Sequence, residues 1–223
     1  MADEVQRLTW ARRYHPVPRV LDHGHDPEGS WLVTAALPGE GAVSPRWKAD
    51  PAAAVAAIGE GLRALHDNLP AADCPSPGAR SSASPAPASR WPAPETGRRP
   101  APETSRRPAP GSAPRTGTAA TRALTVTAAL DRAADIPPPD KLVVCHGDAC
   151  APNTLVAGDG RWSGHVDLGL LGVGDRWADL AVATWSAEWN YGPGWDRRLL
   201  DAYGVRPEPE RTRYYRLLWD LSS

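Results

Sequence analysis

Phenylalanine is absent from these 223 residues, methionine occurs once, and lysine occurs only as Lys48 and Lys141. Cysteine is nearly as scarce. Cys74, Cys145 and Cys150 are too few, and odd in number, for a disulfide framework, which points to a reducing cytoplasm. No apolar run approaches the ~20 residues that a membrane helix needs, so no membrane partner is expected. The opening "MADEVQRLTWARRYHP" is charged from its third residue and has no hydrophobic segment of a secretory signal. A formal net charge of -1 argues against a nucleic-acid partner held by overall charge.

What is abundant is proline, with 25 residues, and tryptophan, with 10. The proline is concentrated. Residues 75–120 hold 11 prolines and no Val, Ile, Leu, Met or Phe. An octad recurs there as "PAPETGRR" at 92–99, "PAPETSRR" at 100–107 and a degraded "PAPGSAPR" at 108–115. Such a segment cannot bury enough apolar surface to offset its ordering entropy, so a disordered or polyproline-like linker is expected. Its seven arginines against two glutamates leave room for a docking or anion-binding role. The abrupt change of composition fits either an inserted linker or a stretch read out of frame. Translation of the gene's other frames separates the two.

The flanks read as globular. Val5, Leu8 and Trp10 mark a short amphipathic helix within 3–13, and "SWLVTAALPG" at 30–39 reads as a buried strand ending in a Pro-Gly turn. Residues 50–69 carry Val55, Ile58, Leu62 and Leu65 at helical spacing behind Asp50 as cap and Pro51 in the first turn. A helix is also readable in "TVTAALDRAAD". Short buried strands are expected at 141–145 and 164–169, and helices at 175–189 and 207–221. The last carries an apolar stripe of Tyr214, Leu217, Leu218 and Leu221.

The stretch "VVCHGDACAPNTL" at 143–155 holds two cysteines, a histidine and an aspartate, and so raises the question of zinc. The spacing is wrong for it. Adjacent residues on an extended chain point to opposite sides, so Cys145 and His146 should not converge on one ion, and buried cysteine is ordinarily a small core residue. The oxygen donors make a better pattern. Asp148 is followed five positions on by Asn153, and Asp167 follows at the end of the next apolar strand in "VDLG". Phosphoryl transfer requires a carboxylate near the attacking hydroxyl and hard oxygen ligands for magnesium, and H-x-D-x4-N with a later D-x-G supplies both.

With these motifs in hand, "CHGDACAPNTLV", "HVDLGLLGVGDRWADLAVAT" and "YYRLLWDL" resemble the aminoglycoside 3'-phosphotransferases, antibiotic-resistance kinases of protein-kinase-like fold. "DEVQRLTWARRYHPVPRVLDHG", "WLVTAALPG" and "AIGEGLRALHDNLPAADCP" resemble the same family. The resemblance implies a two-lobed α+β architecture with an incomplete small lobe and a mainly helical large lobe. Residues 1–38 would be the remnant of the small, ATP-binding lobe with its hinge, 39–74 the start of the large lobe, 75–120 the Pro/Arg-rich segment and 121–223 the catalytic large lobe. It implies ATP and Mg2+ as cofactors and an aminoglycoside as substrate. Asp148 would be the catalytic base, Asn153 and Asp167 the metal ligands, and His146, Gly147 and Gly169 loop-shaping residues. Asp175 and Asp179 would be structural, Asp220 would face the cationic drug, and Ala36 would lie in the adenine hinge. An acidic drug site is chemically sensible for a substrate with several ammonium groups.

Departures accompany the resemblance. The family's phosphate-covering loop and strand lysine precede the helix that begins here at Glu4, so Glu4 lacks the lysine expected to pair with it, and a truncated small lobe is expected. Leu170 stands where the family usually has arginine, and the terminal "DLSS" lacks its common aromatic ending. Two alternatives stay open: a kinase of another small hydroxylated molecule, or a catalytically impaired remnant that only binds ligand or partner. The modified hydroxyl and the oligomeric state are not encoded in these motifs.

Overall fold

The computed structural model describes residues 2–76 and 132–222. The octad repeat and most of the helix read in 125–135 lie outside the described residues, although 132–134 are helical. The chain runs α1 (Ala2–Ala11), β1 (Val20–Asp26), β2 (Gly29–Thr34), β3 (Glu40–Gly41), α2 (Pro45–Ala49) and α3 (Pro51–Asn68). It continues with β4 (Leu142–Cys145), β5 (Thr154–Val156), β6 (Trp162–His165) and β7 (Gly172–Asp175). It ends with α4 (Arg176–Tyr191), α5 (Asp196–Tyr203) and α6 (Pro209–Ser222). This is an α+β fold. Among the described residues, no helix is long and apolar enough to cross a membrane.

The helices follow from their caps and periodicity. Asp50 Oδ1 accepts from Ala53 N at 3.2 Å ahead of Pro51, and Val55, Ile58, Leu62 and Leu65 of α3 are all buried. α3 lies so close to α5 that a Cβ at Gly59 would stand 2.5 Å from Leu199 O, so glycine is what permits the approach. Around this crossing Trp47, Ile58, Leu62, Trp177, Leu180 and Tyr203 form the main core.

A second core joins the two ends of the catalytic region. Leu8, Trp10 and Val17 pack with Leu65 of α3, Leu69 just past its end, Val144 of β4, and Leu168 and Leu171. The apolar face of α1 is therefore seated directly on the elements that carry the later motifs.

The strands form three small antiparallel sheets: β1–β2, β3–β5–β6 and β4–β7. Two expectations need correcting, and two further features were not read from the sequence. The strand at 30–34 exists but is not buried. It pairs only with β1, and Trp31 and Val33 remain 40% and 46% exposed, because among the described residues nothing covers the hairpin's outer face. The strand expected over 164–169 stops at His165, since Asp167 turns to a left-handed φ of 61°. β1 and β7 were unforeseen; β7 reads Gly-Val-Gly-Asp, with little β-propensity to announce it. Along the apolar stripe of α6, Tyr214 is buried and Leu217, Leu218 and Leu221 are half-buried.

Candidate active site

β4 ends in Cys145, and the chain then leaves the sheet through His146, Gly147 and Asp148. This exit is clamped by Asp179, a fully buried residue in the first turn of α4. Its Oδ2 accepts from His146 N at 2.6 Å and its Oδ1 from Gly147 N at 3.0 Å. His66 Nε2 lies 2.9 Å from the same Oδ2, and His66 Nδ1 lies 2.8 Å from the Tyr203 hydroxyl. Burial alone would raise the Asp179 carboxyl. The His66 hydrogen bond, the nearby His66 and His146 rings and the Gly147 amide outweigh it and hold the group below the usual carboxylate range.

Gly147 is required twice over. Its φ is 86°, and a Cβ there would lie 2.3 Å from Leu170 O, so the loop after β4 touches the loop after β6. Gly169 carries no such requirement: a Cβ would meet nothing nearer than Asp167 Oδ1 at 3.7 Å. The left-handed backbone of the D-L-G turn falls on Asp167, not on Gly169.

His146 is fully buried and bridges the two loops. Asp148 N donates to its Nδ1 at 3.3 Å, so the ring proton sits on Nε2, which donates to Val166 O at 3.0 Å. His165 packs edge-on against it, and His165 Nδ1 lies 2.8 Å from His15 Nε2. Burial, reinforced by the neighbouring histidines, pushes His15 down to about 4 and His165 well below its usual range.

Asn153 closes the loop that Asp148 opens. Its Nδ2 donates to Asp148 O at 2.9 Å, which leaves the amide oxygen as its outward acceptor. Val166 N donates to Asn153 O at 3.0 Å, so Asn153 and Asp167 are one hydrogen bond and one residue apart. Between Asp148 and Asn153, Ala151 N donates to Ser186 Oγ at 2.9 Å, and Ser186 is itself held by Asn190.

What the site offers is oxygen. Asp148 Oδ1 is buried and has no hydrogen-bond partner. The exposed Asp167 faces a cleft of about 480 Å³ that is also walled by Glu4, Leu8, Pro18, Trp31 and Val166. Neither Asp148 nor Asn153 is among the lining residues of that cleft, and neither of the two lysines is. The free Oδ1 of Asp148, the Asp167 carboxylate and the Asn153 amide oxygen are hard donors of the kind magnesium takes, so the residues present fit that ion.

The remaining sequence candidates lie apart. Asp175 caps α4 through Trp177 N at 3.0 Å and also accepts from Asp140 N at 2.8 Å. Ala36 is exposed on the link between β2 and β3, two residues past Thr34 of the cleft wall. Asp220 is half-buried in the last turn of α6 and does not line the cleft.

Cys145 and Cys150 are free and buried. Cys145 Sγ does lie near His66 and Asp179, with ligand atoms within 4.8 Å of one another. The hydrogen bonds above already occupy those groups, and Cys145 itself donates to Asp175 O at 3.3 Å. Burial first, and then the charge of Asp148, pushes the Cys150 thiol up.

His66, Tyr203 and Ser186 were missed in the sequence. A signal existed for two of them: His66 sits four residues past Leu62 on the buried face of α3, and Ser186 seven past Asp179 on the buried face of α4.

The sequence model of the phosphotransferase enzyme family matches residues 1–215. The chain belongs to that family. An aminoglycoside 3'-phosphotransferase of Streptomyces fradiae is 38% identical to it, over 98% of this chain and 78% of that protein. A streptomycin 3''-kinase of Streptomyces griseus is 34% identical, over 95% of this chain and 76% of its own. Among solved structures, the aminoglycoside phosphotransferase of Streptomyces rimosus in complex with ADP and streptomycin is 26% identical. It superposes with a TM-score of 0.66, covering 100% of this chain and 82% of that one.

Proposed function

We propose that the chain transfers the γ-phosphoryl group of ATP to a hydroxyl of an aminoglycoside. The observation that carries this is the buried, unpartnered Asp148 Oδ1, an acceptor held ready on a clamped loop in a chain whose relatives are aminoglycoside kinases. The substrate oxygen attacks the γ-phosphorus, the bond from that phosphorus to the ADP oxygen breaks, and the hydroxyl proton passes to Asp148. Asn153 and Asp167 would hold Mg2+, which when bound neutralises phosphate charge. His146 and Asp179 keep the base in place, the first through the Asp148 amide and the second through the two residues before it. Ala36 would meet adenine through main-chain groups, with residues 1–38 serving as the nucleotide side of the cleft. Asp220 would meet an ammonium group of the drug.

The test is phosphate transfer from ATP to kanamycin, neomycin and streptomycin, run on this chain and on Asp148→Ala. Turnover that vanishes in the variant is expected. Turnover that survives it, or no transfer to any of the three, overturns the reading.

A further inference from the structure

Arg7 stands one helical turn past Glu4 on α1, and its guanidinium spans two acceptors. Nη1 donates to the Gly169 carbonyl, and Nη2 donates to Ser76 Oγ at 3.1 Å. Gly169 is two residues beyond Asp167, within the turn that sets the direction of that carboxylate. On its inner side this turn is fixed by Leu168 and Leu171, both fully buried against Leu8, and by Leu171 N donating to Leu168 O at 3.1 Å. On its other side it has the Arg7 bond, while Leu170 is 52% exposed. Ser76 is buried and lies against Gly172, where a Cβ would stand 3.5 Å from its side chain. The guanidinium therefore ties together α1, the D-L-G turn and the end of the segment that follows α3.

We infer that Arg7 is a positioning residue for phosphoryl transfer: by holding the Gly169 carbonyl it fixes the left-handed Asp167 in the direction from which its carboxylate meets the metal. The inference rests on the function proposed above. A φ of 61° is uncommon for a side-chain-bearing residue, and although aspartate tolerates it better than most, contacts around the turn help to hold it. A charge-assisted bond to the carbonyl two residues on is such a constraint. The second arm, to Ser76, serves the fold and not the metal. The two arms can therefore be separated by mutation.

The experiment is a titration of Mn2+ binding in the presence of ADP, read by electron paramagnetic resonance, on the wild-type chain, Arg7→Ala and Ser76→Ala, with the melting temperature of each. Arg7→Ala is expected to weaken Mn2+ binding about tenfold, the factor that 1.4 kcal/mol represents. Ser76→Ala is expected to lower the melting temperature while leaving the metal affinity at the wild-type value. In the transfer assay, kcat should fall in Arg7→Ala with the aminoglycoside KM unchanged. If Arg7→Ala does not fold, Arg7→Gln, shorter and uncharged, takes its place. Wild-type metal affinity in the folded Arg7 variant, or an equal loss in Ser76→Ala, overturns the inference and leaves the phosphotransferase reading intact. A wild-type chain that binds no Mn2+ with ADP overturns both.

Discussion

At the scale of single residues, the loop after β4 combines one group that is under-bonded with one that is over-constrained. Asp148 Oδ1 has no partner in a buried position, an arrangement that costs stability and is retained where chemistry needs a free acceptor. Asp148→Asn should therefore leave the melting temperature unchanged or raised while kcat falls by ~10²–10⁴, the range for loss of a general base. A matched fall in both quantities would assign the residue a structural role. Gly147→Ala should do the reverse. The left-handed φ alone costs about 1–2 kcal/mol for a side-chain-bearing residue, and the Cβ would additionally collide with Leu170 O. Thermal unfolding and activity should fall together.

At the scale of elements, Tyr203 of α5 and His66 of α3 are linked by hydrogen bonds through Asp179 of α4 to the loop after β4. Tyr203→Phe removes the hydroxyl that meets His66 Nδ1 and leaves a buried polar atom without a partner, a loss of about 1–3 kcal/mol in urea denaturation. An unchanged midpoint would mean that the contact contributes nothing. The elements also divide by how plainly the sequence announced them. α3 and α4 were legible because caps and apolar spacing agree, with Asp50 and Asp175 heading stretches of buried residues at helical period. β1 and β7 were not, because each takes its strand form from a partner rather than from its own residues. Gly172 and Gly174 are paired opposite Cys145 and Val143. Asp148, Asn153 and Asp167 could be placed from spacing. For His66 and Ser186 spacing marks only a buried helix face, since their roles depend on which elements those faces meet.

At the scale of the whole molecule, the half-buried Trp162 and the buried His15, His165 and His146 form a ring column running from the link after α1 to the loop after β4. His15 is held at about 4 against an ordinary 6.5, so below pH 6.5 the unfolded chain binds the proton first. Stability should be full above pH 6.5 and decline as pH falls towards 4, by about 3 kcal/mol for His15 alone, with His165 acting in the same direction. Tryptophan fluorescence during denaturation at pH 7, 5.5 and 4.5 would register this. His15→Gln should flatten the dependence, and an equally steep decline in that variant would place its origin elsewhere.

The contact between Gly147 and Leu170 also bears on how such a gene can change. Third-base changes of a glycine codon are silent, but every amino-acid replacement adds a Cβ, and a Cβ has no room here. Position 147 therefore has no neutral replacement. Inactivation at this point is a single event with several outcomes, whereas recovery is open to reversion alone, or to a simultaneous shift of the facing loop.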